Sequence, residues 1–406
     1  MAQRTPWHKS RRGTSAVRAA LPYNPSMEFE SITESGPLVA ELRERIERDG
    51  PITFREFMQA ALYHPRYGYY QTSAGGMTRG GDYVTSPEVH PVFGALVAKQ
   101  LREMWNVMSR PGRFDVVEVG GGTGALARDV LGSEAARDPS FGAALRYQIV
   151  ETSPQLAQAQ RSTLTVAQIA DDAVHWLSAL PANLTGCVLS NELVDAFPVH
   201  RVVRDGEALR EVYVTVRDRR FTDELGPLSD EALRSYFDEL GLLPGEGCYA
   251  EVNLDAVAWM RDVARSLARG YVMTFDYGYE APELYAPWRR DGTLLCFYRQ
   301  SPSSDPYQRI GKQDITSSVD FTVLERAGEA AGLHTIALTD QASFLLRLGL
   351  AQGVSEVAQE AGQMEEYFAR RKVVMDLIDP ARLGRVKVLL QGTGVPDAPL
   401  AGFTDT

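Results

Sequence analysis

Cysteine is scarce and isolated in this sequence. Cys187, Cys248 and Cys296 are the three in 406 residues, and none forms a C-x-x-C pair, which argues against a disulfide framework and a zinc site and fits a reducing compartment. Long apolar runs are missing as well. No stretch approaches the roughly 18 to 20 residues that a membrane span needs, and no h-region of a secretory signal is present. An excess of positive charge is the third absence. With a formal net charge of −11 the chain offers no global field for phosphate backbones, so nucleic acid is not expected as a partner, and an acidic surface favours a basic protein or peptide instead. No internal repeat is visible.

What is present is ordinary globular composition, 44% hydrophobic and 23% charged, with length for two domains or for one large domain carrying insertions. Residues 1–35 read as a disordered basic tail. Arg4, Lys9, Arg11, Arg12 and Arg18 all precede the first acid, Glu28, a composition that organelle transit peptides share. Residues 36–110 read as a helical region. Thr53 and Glu56 have capping-box spacing, and a glycine-rich lid loop leads to Ser86-Pro87, a cap and first-turn pair for a long amphipathic helix to about Met108. Residues 111–341 read as a ligand-binding α/β domain, and 342–406 as a helical extension.

In that domain short apolar strands alternate with helical segments: "DVVEVG" (115–120), "RYQIVE" (146–151), "GCVLSNE" (186–192) and "GYVMTFDYG" (270–278). This alternation predicts an α/β fold with an open sheet covered on both faces. Between the last two, Asp205-Gly206 separates alternating strands as a hairpin turn would. Helices follow, one from about Ser229 and one ending at Gly270, so about 200–265 reads as an inserted β-hairpin and helix segment over the sheet edge.

Within "FDVVEVGGGTGALARDVL", Gly120, Gly122 and Gly124 let the backbone approach a ligand, and the following helix N-terminus offers unpaired N–H groups to an anionic one. A nicotinamide dinucleotide, S-adenosylmethionine and a purely structural turn all fit those glycines. Glu118 favours S-adenosylmethionine, because a carboxylate on the strand before the turn would crowd a pyrophosphate but can engage an amino group. Glu151, at the end of the next strand, is placed to hold ribose hydroxyls, or is an exposed strand-end acid. "VLSNELVDAFPVHR" then sets Asn191, Glu192 and Asp195 at the carboxyl edge of a buried strand. A sulfonium methyl donor needs mainly an acceptor held in line, and two carboxylates can orient a guanidinium bidentately. The alternative is that Asp195 caps a helix beginning near Ala196 and Glu192 is a solvated acid.

"GGDYVTSPEVHPVFG", "VVEVGGGTGALARDVL", "IVETSPQLAQAQ" and "SNELVDAFPVHR", with "GKQDITSSVDF" as a fifth segment, together resemble the MidA-like methyltransferases. That family includes the mitochondrial complex I assembly-factor protein arginine methyltransferase. The resemblance runs from about Pro51 to His334. It implies a class I methyltransferase (Rossmann-like) open twisted sheet, S-adenosylmethionine as donor and, in the mitochondrial branch, symmetric dimethylation of an arginine on a respiratory complex I subunit. By position, Gly120, Gly122 and Gly124 would hold the methionine part and Glu151 the ribose, with Asp82, Ser86 and Glu88 lining the pocket from the lid side. Glu192, Asp195 and Asn191 stay the catalytic candidates on the reading of the residues given above. Gln300 and Ser318 stand where the family often has histidine, and His64, His90 and His200 have no partner visible in sequence. Two other functions remain open: a small-molecule O- or N-methyltransferase, and a non-catalytic assembly chaperone that retains the fold. A homodimer is compatible with all of this, as is a bacterial cytoplasmic location or, alternatively, the mitochondrial matrix.

Overall fold

Phe114–Val119 is buried on both faces along nearly its whole length, the pattern of a central strand in a parallel sheet rather than of a half-exposed one. In the computed structural model, which describes residues 36–72, 85–351, 371–372 and 374–404, this segment sits inside a seven-stranded sheet. In chain order its strands are β1 (Phe114–Val119), β2 (Leu145–Val150), β3 (Val174–Leu177), β4 (Leu184–Asn191), β5 (Leu267–Asp276), β6 (His334–Asp340) and β7 (Lys387–Thr393). They lie side by side as β6-β7-β5-β4-β1-β2-β3. Every pairing among β1 to β5 is parallel, whereas β7 runs antiparallel to both β5 and β6. The order reverses between β1 and β4, and a crevice opens at the carboxyl ends of strands at such a point.

Alternate residues of each strand feed two cores. Val116, Tyr147, Leu189, Met273 and Leu390 face one side, where helices Val92–Val107 and Ala125–Gly132 bury Phe93, Val97, Leu126 and Val130. Val117, Val188, Val272 and Leu389 face the other, under Met260 of helix Leu254–Ser266 and Leu324 of helix Phe321–Ala330. The expected open α/β sheet covered on both faces is the observed one. Among the described residues no helix is long and apolar enough to cross a membrane.

The segment between β4 and β5 builds a second, antiparallel sheet from His200–Asp205, Ala208–Arg217, Arg220–Gly226 and Tyr249–Val252, with Ile52–Thr53 on its edge. Its first hairpin turns through Gly206 and Glu207, since Asp205 still pairs with Ala208; Gly206 takes φ +61°. This sheet packs on helix Phe54–Tyr63 through Phe54, Phe57, Val214 and Phe221. The helix opens with the predicted capping box between Thr53 and Glu56.

Three readings need correction. Helix Leu254–Ser266 stops before Leu267 rather than at Gly270, because the strand begins there and runs ten residues. The expected helical extension 342–406 takes in most of helix Gln341–Arg347, but "KVLLQGT" forms β7 in the interior of the sheet; an apolar run as short as Val388-Leu389-Leu390 has no period that separates strand from helix. Ser86 is not a cap: Thr85 holds that position, a short helix Ser86–Val89 follows, and the long helix starts afresh at Val92 after Pro91. The basic segment 1–35, the glycine-rich loop and Asp82 lie outside the described residues.

Candidate active site

The glycine turn joins β1 to helix Ala125–Gly132 at the reversal point. Gly120, Gly122 and Gly124 have φ of +72°, +51° and +84°, values that side chains other than glycine rarely tolerate. Space adds a separate demand. A Cβ on Gly124 would lie 3.0 Å from Cα of Gln160, whereas one on Gly122 would meet nothing within 4 Å because that face opens into a cavity. The cavity, about 390 Å³, is walled by Glu118, the turn, Glu151, Glu88, Asn191 and Glu192. Leu126, Leu156, Tyr63 and Phe197 supply apolar surface.

Its carboxylates are individually seated. Glu118 is buried and accepts from the Tyr147 hydroxyl at 2.8 Å; burial pushes its carboxyl up to about 7. Glu151 accepts from the Ser153 amide at 2.8 Å and from Gln160 Nε2 at 2.9 Å, and burial raises it too. Glu88 accepts from the Thr123 hydroxyl.

Gln160 went unnoticed in the sequence. It is fully buried, and besides Glu151 its Nε2 donates to Gly122 O at 3.1 Å while its Oε1 accepts from Trp176 Nε1 at 2.9 Å. One amide thereby ties the turn to the acid after β2. The signal was helical spacing: Leu156, Gln160 and Leu164 mark the buried stripe of helix Pro154–Val166, and a polar residue on such a stripe needs internal partners.

Ser86 is buried behind the cavity wall rather than on it. Its amide donates to Glu192 Oε1 at 3.0 Å and its hydroxyl to Gln341 Oε1 at 2.8 Å, while Thr85, Pro87 and Glu88 form the wall.

Past β4 the chain turns sharply. Glu192 adopts φ +49°, and Asp276 at the end of β5 gathers the next amides: its Oδ2 accepts from Leu193 at 3.1 Å and Val194 at 2.8 Å. The expected helix from Ala196 is absent, and a single 3-10 turn, Val194–Ala196, takes its place. Pro198 explains this, because the residue before a proline is driven out of the helical region. Asp195 therefore caps nothing. It is buried and lines a second cavity of about 590 Å³ together with Glu192, Asp314, Tyr70, Gln300 and Ser318. Glu192 and Tyr70 line both cavities.

The acids of this second cavity crowd one another. Burial pushes Glu192 up to about 8, and burial with Asp276, Asp314 and Glu192 nearby raises Asp195 well above the carboxylate range. Burial also holds Asp276 near 7. Carboxylates sharing a low-dielectric site cannot all ionise unless a cation joins them. Asn191 Oδ1 is buried with no hydrogen-bond partner, so the strand end also presents an unused acceptor. The histidines lie elsewhere: His200 Nδ1 is 2.7 Å from Glu211 within the insertion, and His64 Nε2 is 3.1 Å from Glu41.

S-adenosylmethionine fits the first cavity. The bare backbone at Gly122 would admit its methionine part, Glu118 and Asn191 Oδ1 could accept from an ammonium group, and Glu151 could accept from hydroxyls. Residues 96–339 match the family model described as "Putative S-adenosyl-L-methionine-dependent methyltransferase". The chain is 30% identical over 431 residues to the mitochondrial protein arginine methyltransferase NDUFAF7 homolog of Drosophila melanogaster, covering 97% of this chain and 94% of that one. It is 26% identical over 382 residues to the mitochondrial protein arginine methyltransferase NDUFAF7 of Rattus norvegicus, covering 86% and 82%. A crystal structure of a protein from Burkholderia thailandensis bound to S-adenosyl-homocysteine superimposes with a TM-score of 0.83 at 33% identity, covering 94% of this chain and 97% of that one.

Proposed function

The chain belongs to this family of S-adenosylmethionine-dependent methyltransferases, and from that premise we propose that its acceptor is the guanidinium of a protein arginine. The observation that carries the proposal is the position of Glu192, whose carboxyl lines both the donor cavity and the acid-rich one. A cation held by that carboxyl is therefore held at the donor's edge. Guanidinium suits the site because it is planar, stays charged, and presents paired N–H donors to carboxylates.

Bound donor supplies an electrophilic methyl on a sulfonium sulfur. The chain's own residues do the rest. Glu192 and Asp195 fix the guanidinium plane and draw off its charge, the Leu193–Asp195 turn is pinned by Asp276, and apolar walls exclude water. As the N–C bond forms and the C–S bond breaks, the acceptor nitrogen loses a proton. Glu192, whose carboxyl burial raises to about 8, gives up its proton as the guanidinium binds and, as a carboxylate, takes one back from the acceptor nitrogen as the methyl transfers, a role that asks for no histidine at positions 300 and 318. The animal relatives bear names as protein arginine methyltransferases, which supports the same acceptor.

The finer substrate we propose is an arginine of a respiratory complex I subunit, converted to symmetric dimethylarginine. The location that goes with it is the bacterial cytoplasm, or the mitochondrial matrix, since the fly and rat relatives are named as mitochondrial. Homodimerisation is to be checked by sedimentation.

Radiolabelled donor incubated with the purified protein and lysate from a strain lacking it tests the acceptor. Acid-stable label recovered as dimethylarginine is the expected result. Label on a small molecule would replace the acceptor class, and no label at all would leave a donor-binding assembly protein.

A further inference from the structure

The acid-rich cavity continues beyond its carboxylates. Tyr277, Ser318 and Arg385 line it and also line a third cavity of about 340 Å³, whose wall includes Glu283, Asp340 and Lys387. The acids of this third cavity are occupied. Asp340 accepts from the Ser343 amide at 2.8 Å as the cap of helix Gln341–Arg347, and Glu283 lies 3.6 Å from Arg289 Nη2. Its cations are not. The Arg385 guanidinium stacks 5.4 Å from the Tyr277 ring centre, and among the described residues neither its side chain nor that of Lys387 forms a hydrogen bond or ion pair. Arg382, the neighbouring cation on the acid-rich cavity, is by contrast engaged with Asp376 at 3.3 Å.

The two adjoining cavities are thus opposite in unmet charge among the described residues: Glu192 and Asp195 have no cation partner on the inner side, Arg385 and Lys387 no acid on the outer, and Arg385 lines both. We infer that the outer cavity binds a carboxylate of the substrate, carried a short distance along the peptide from the arginine that enters the inner one. Arg385 presents a fork that matches a carboxylate's two oxygens, and Lys387 adds charge beside it. On a chain of net charge −11 such a local cationic pair also offsets the general repulsion of an acidic segment. Two-point recognition of this kind fixes direction as well as register, because a reversed peptide would set like charges against each other at both ends. The inference rests on the arginine acceptor proposed above.

The test begins from the arginine mapped in the labelling experiment. Synthetic peptides spanning that site are compared with versions in which each flanking Asp or Glu is changed to Gln and with versions amidated at the C-terminus, so that a side-chain carboxylate and a chain terminus are told apart. Wild-type enzyme, R385Q and R385E are assayed for kcat and KM, and peptide binding is measured by calorimetry with S-adenosyl-homocysteine present. Removing the flanking carboxylate is expected to raise KM and the peptide Kd about tenfold, with kcat within about twofold. R385Q should do the same, the two changes together should add little, and R385E should prefer a peptide with Lys at that position. Unchanged KM in R385Q, or a mapped arginine with no carboxylate nearby, overturns the inference while leaving the arginine acceptor standing. Label that maps to no arginine overturns both.

Discussion

The donor cavity and the acid-rich cavity proposed for the acceptor meet at Glu192, yet they are built by different means. The donor cavity is centred on peptide geometry, the glycine turn after β1 and the acid after β2, with Tyr63, Glu88, Asn191 and Phe197 closing it from other parts of the chain. The acceptor cavity draws Tyr70, Asp195, Gln300, Asp314 and Arg385 from five separate parts of the chain. Its chemistry is charge held in a dry place rather than peptide geometry. The lesson is one of tolerance. A cavity shaped by backbone resists any added atom, whereas a cavity shaped by buried charge resists changes in charge and accepts changes of outline.

The division is sharpest where the cavities touch. Glu192→Gln keeps the shape and the Ser86 and Asn191 contacts to one oxygen while removing the charge. Single-turnover methylation is expected to fall roughly a thousandfold, with donor affinity within about threefold. Because the wild-type carboxyl ionises only at about 8, binding a guanidinium at lower pH must expel a proton. Wild-type kcat/KM should therefore climb by up to about tenfold per pH unit until pH 8 and then level off, and Glu192→Gln should lose that limb. Parallel profiles for the two proteins would move the charge that receives the arginine to another residue.

On the donor side Gly122→Val is expected to weaken donor binding about a hundredfold, as a branched side chain enters the cavity at φ +51° with strain of about 1–2 kcal/mol. Calorimetry returning wild-type affinity would place the ligand away from the turn. On the acceptor side Asp195→Asn should slow turnover about thirtyfold without lowering Tm. The sign follows from its carboxyl being raised well above the unfolded value. Folding favours the protonated form, so Asp195 costs stability increasingly as pH rises from near its unfolded pKa of about 4 toward its folded one; Asn removes that cost. A Tm that drops by several degrees at pH 7 would show a structural residue instead. The smallest effect is expected of Gln160→Leu, which removes one of the hydrogen bonds that seat Glu151: donor affinity falls about fivefold, and acceptor KM at saturating donor does not move.

What could be read in the sequence follows the same division. The strands β1, β2, β4 and β5 are visible because burial on both faces along most of their length makes them rich in apolar residues, and the glycine turn and Glu151 because local geometry demands those residue types at those places. β3 was missed at four residues, and β6 because none of its residues is fully buried, which leaves no apolar run to notice. Asp276 and Asp314 carry no local mark. One is the last residue of a hydrophobic strand and the other sits in a loop-like stretch, and only the folding of distant segments brings them to Asp195. Arg385 was invisible for a further reason: its meaning depends on which other charges are already paired.

The place of β7 has a consequence for the order in which the molecule becomes competent. Lys387–Thr393 slots between strands that leave the ribosome well before it, closing the sheet from the inside. Until it arrives, β5 and β6 face each other across an open slot with unpaired backbone. Lys387 is the residue that pairs with Asp276 in β5, and Asp276 is what seats the turn that carries Asp195. A chain truncated before Lys387 leaves the β7 side of Asp276 unpaired, and is expected to lose single-turnover methylation more than donor binding.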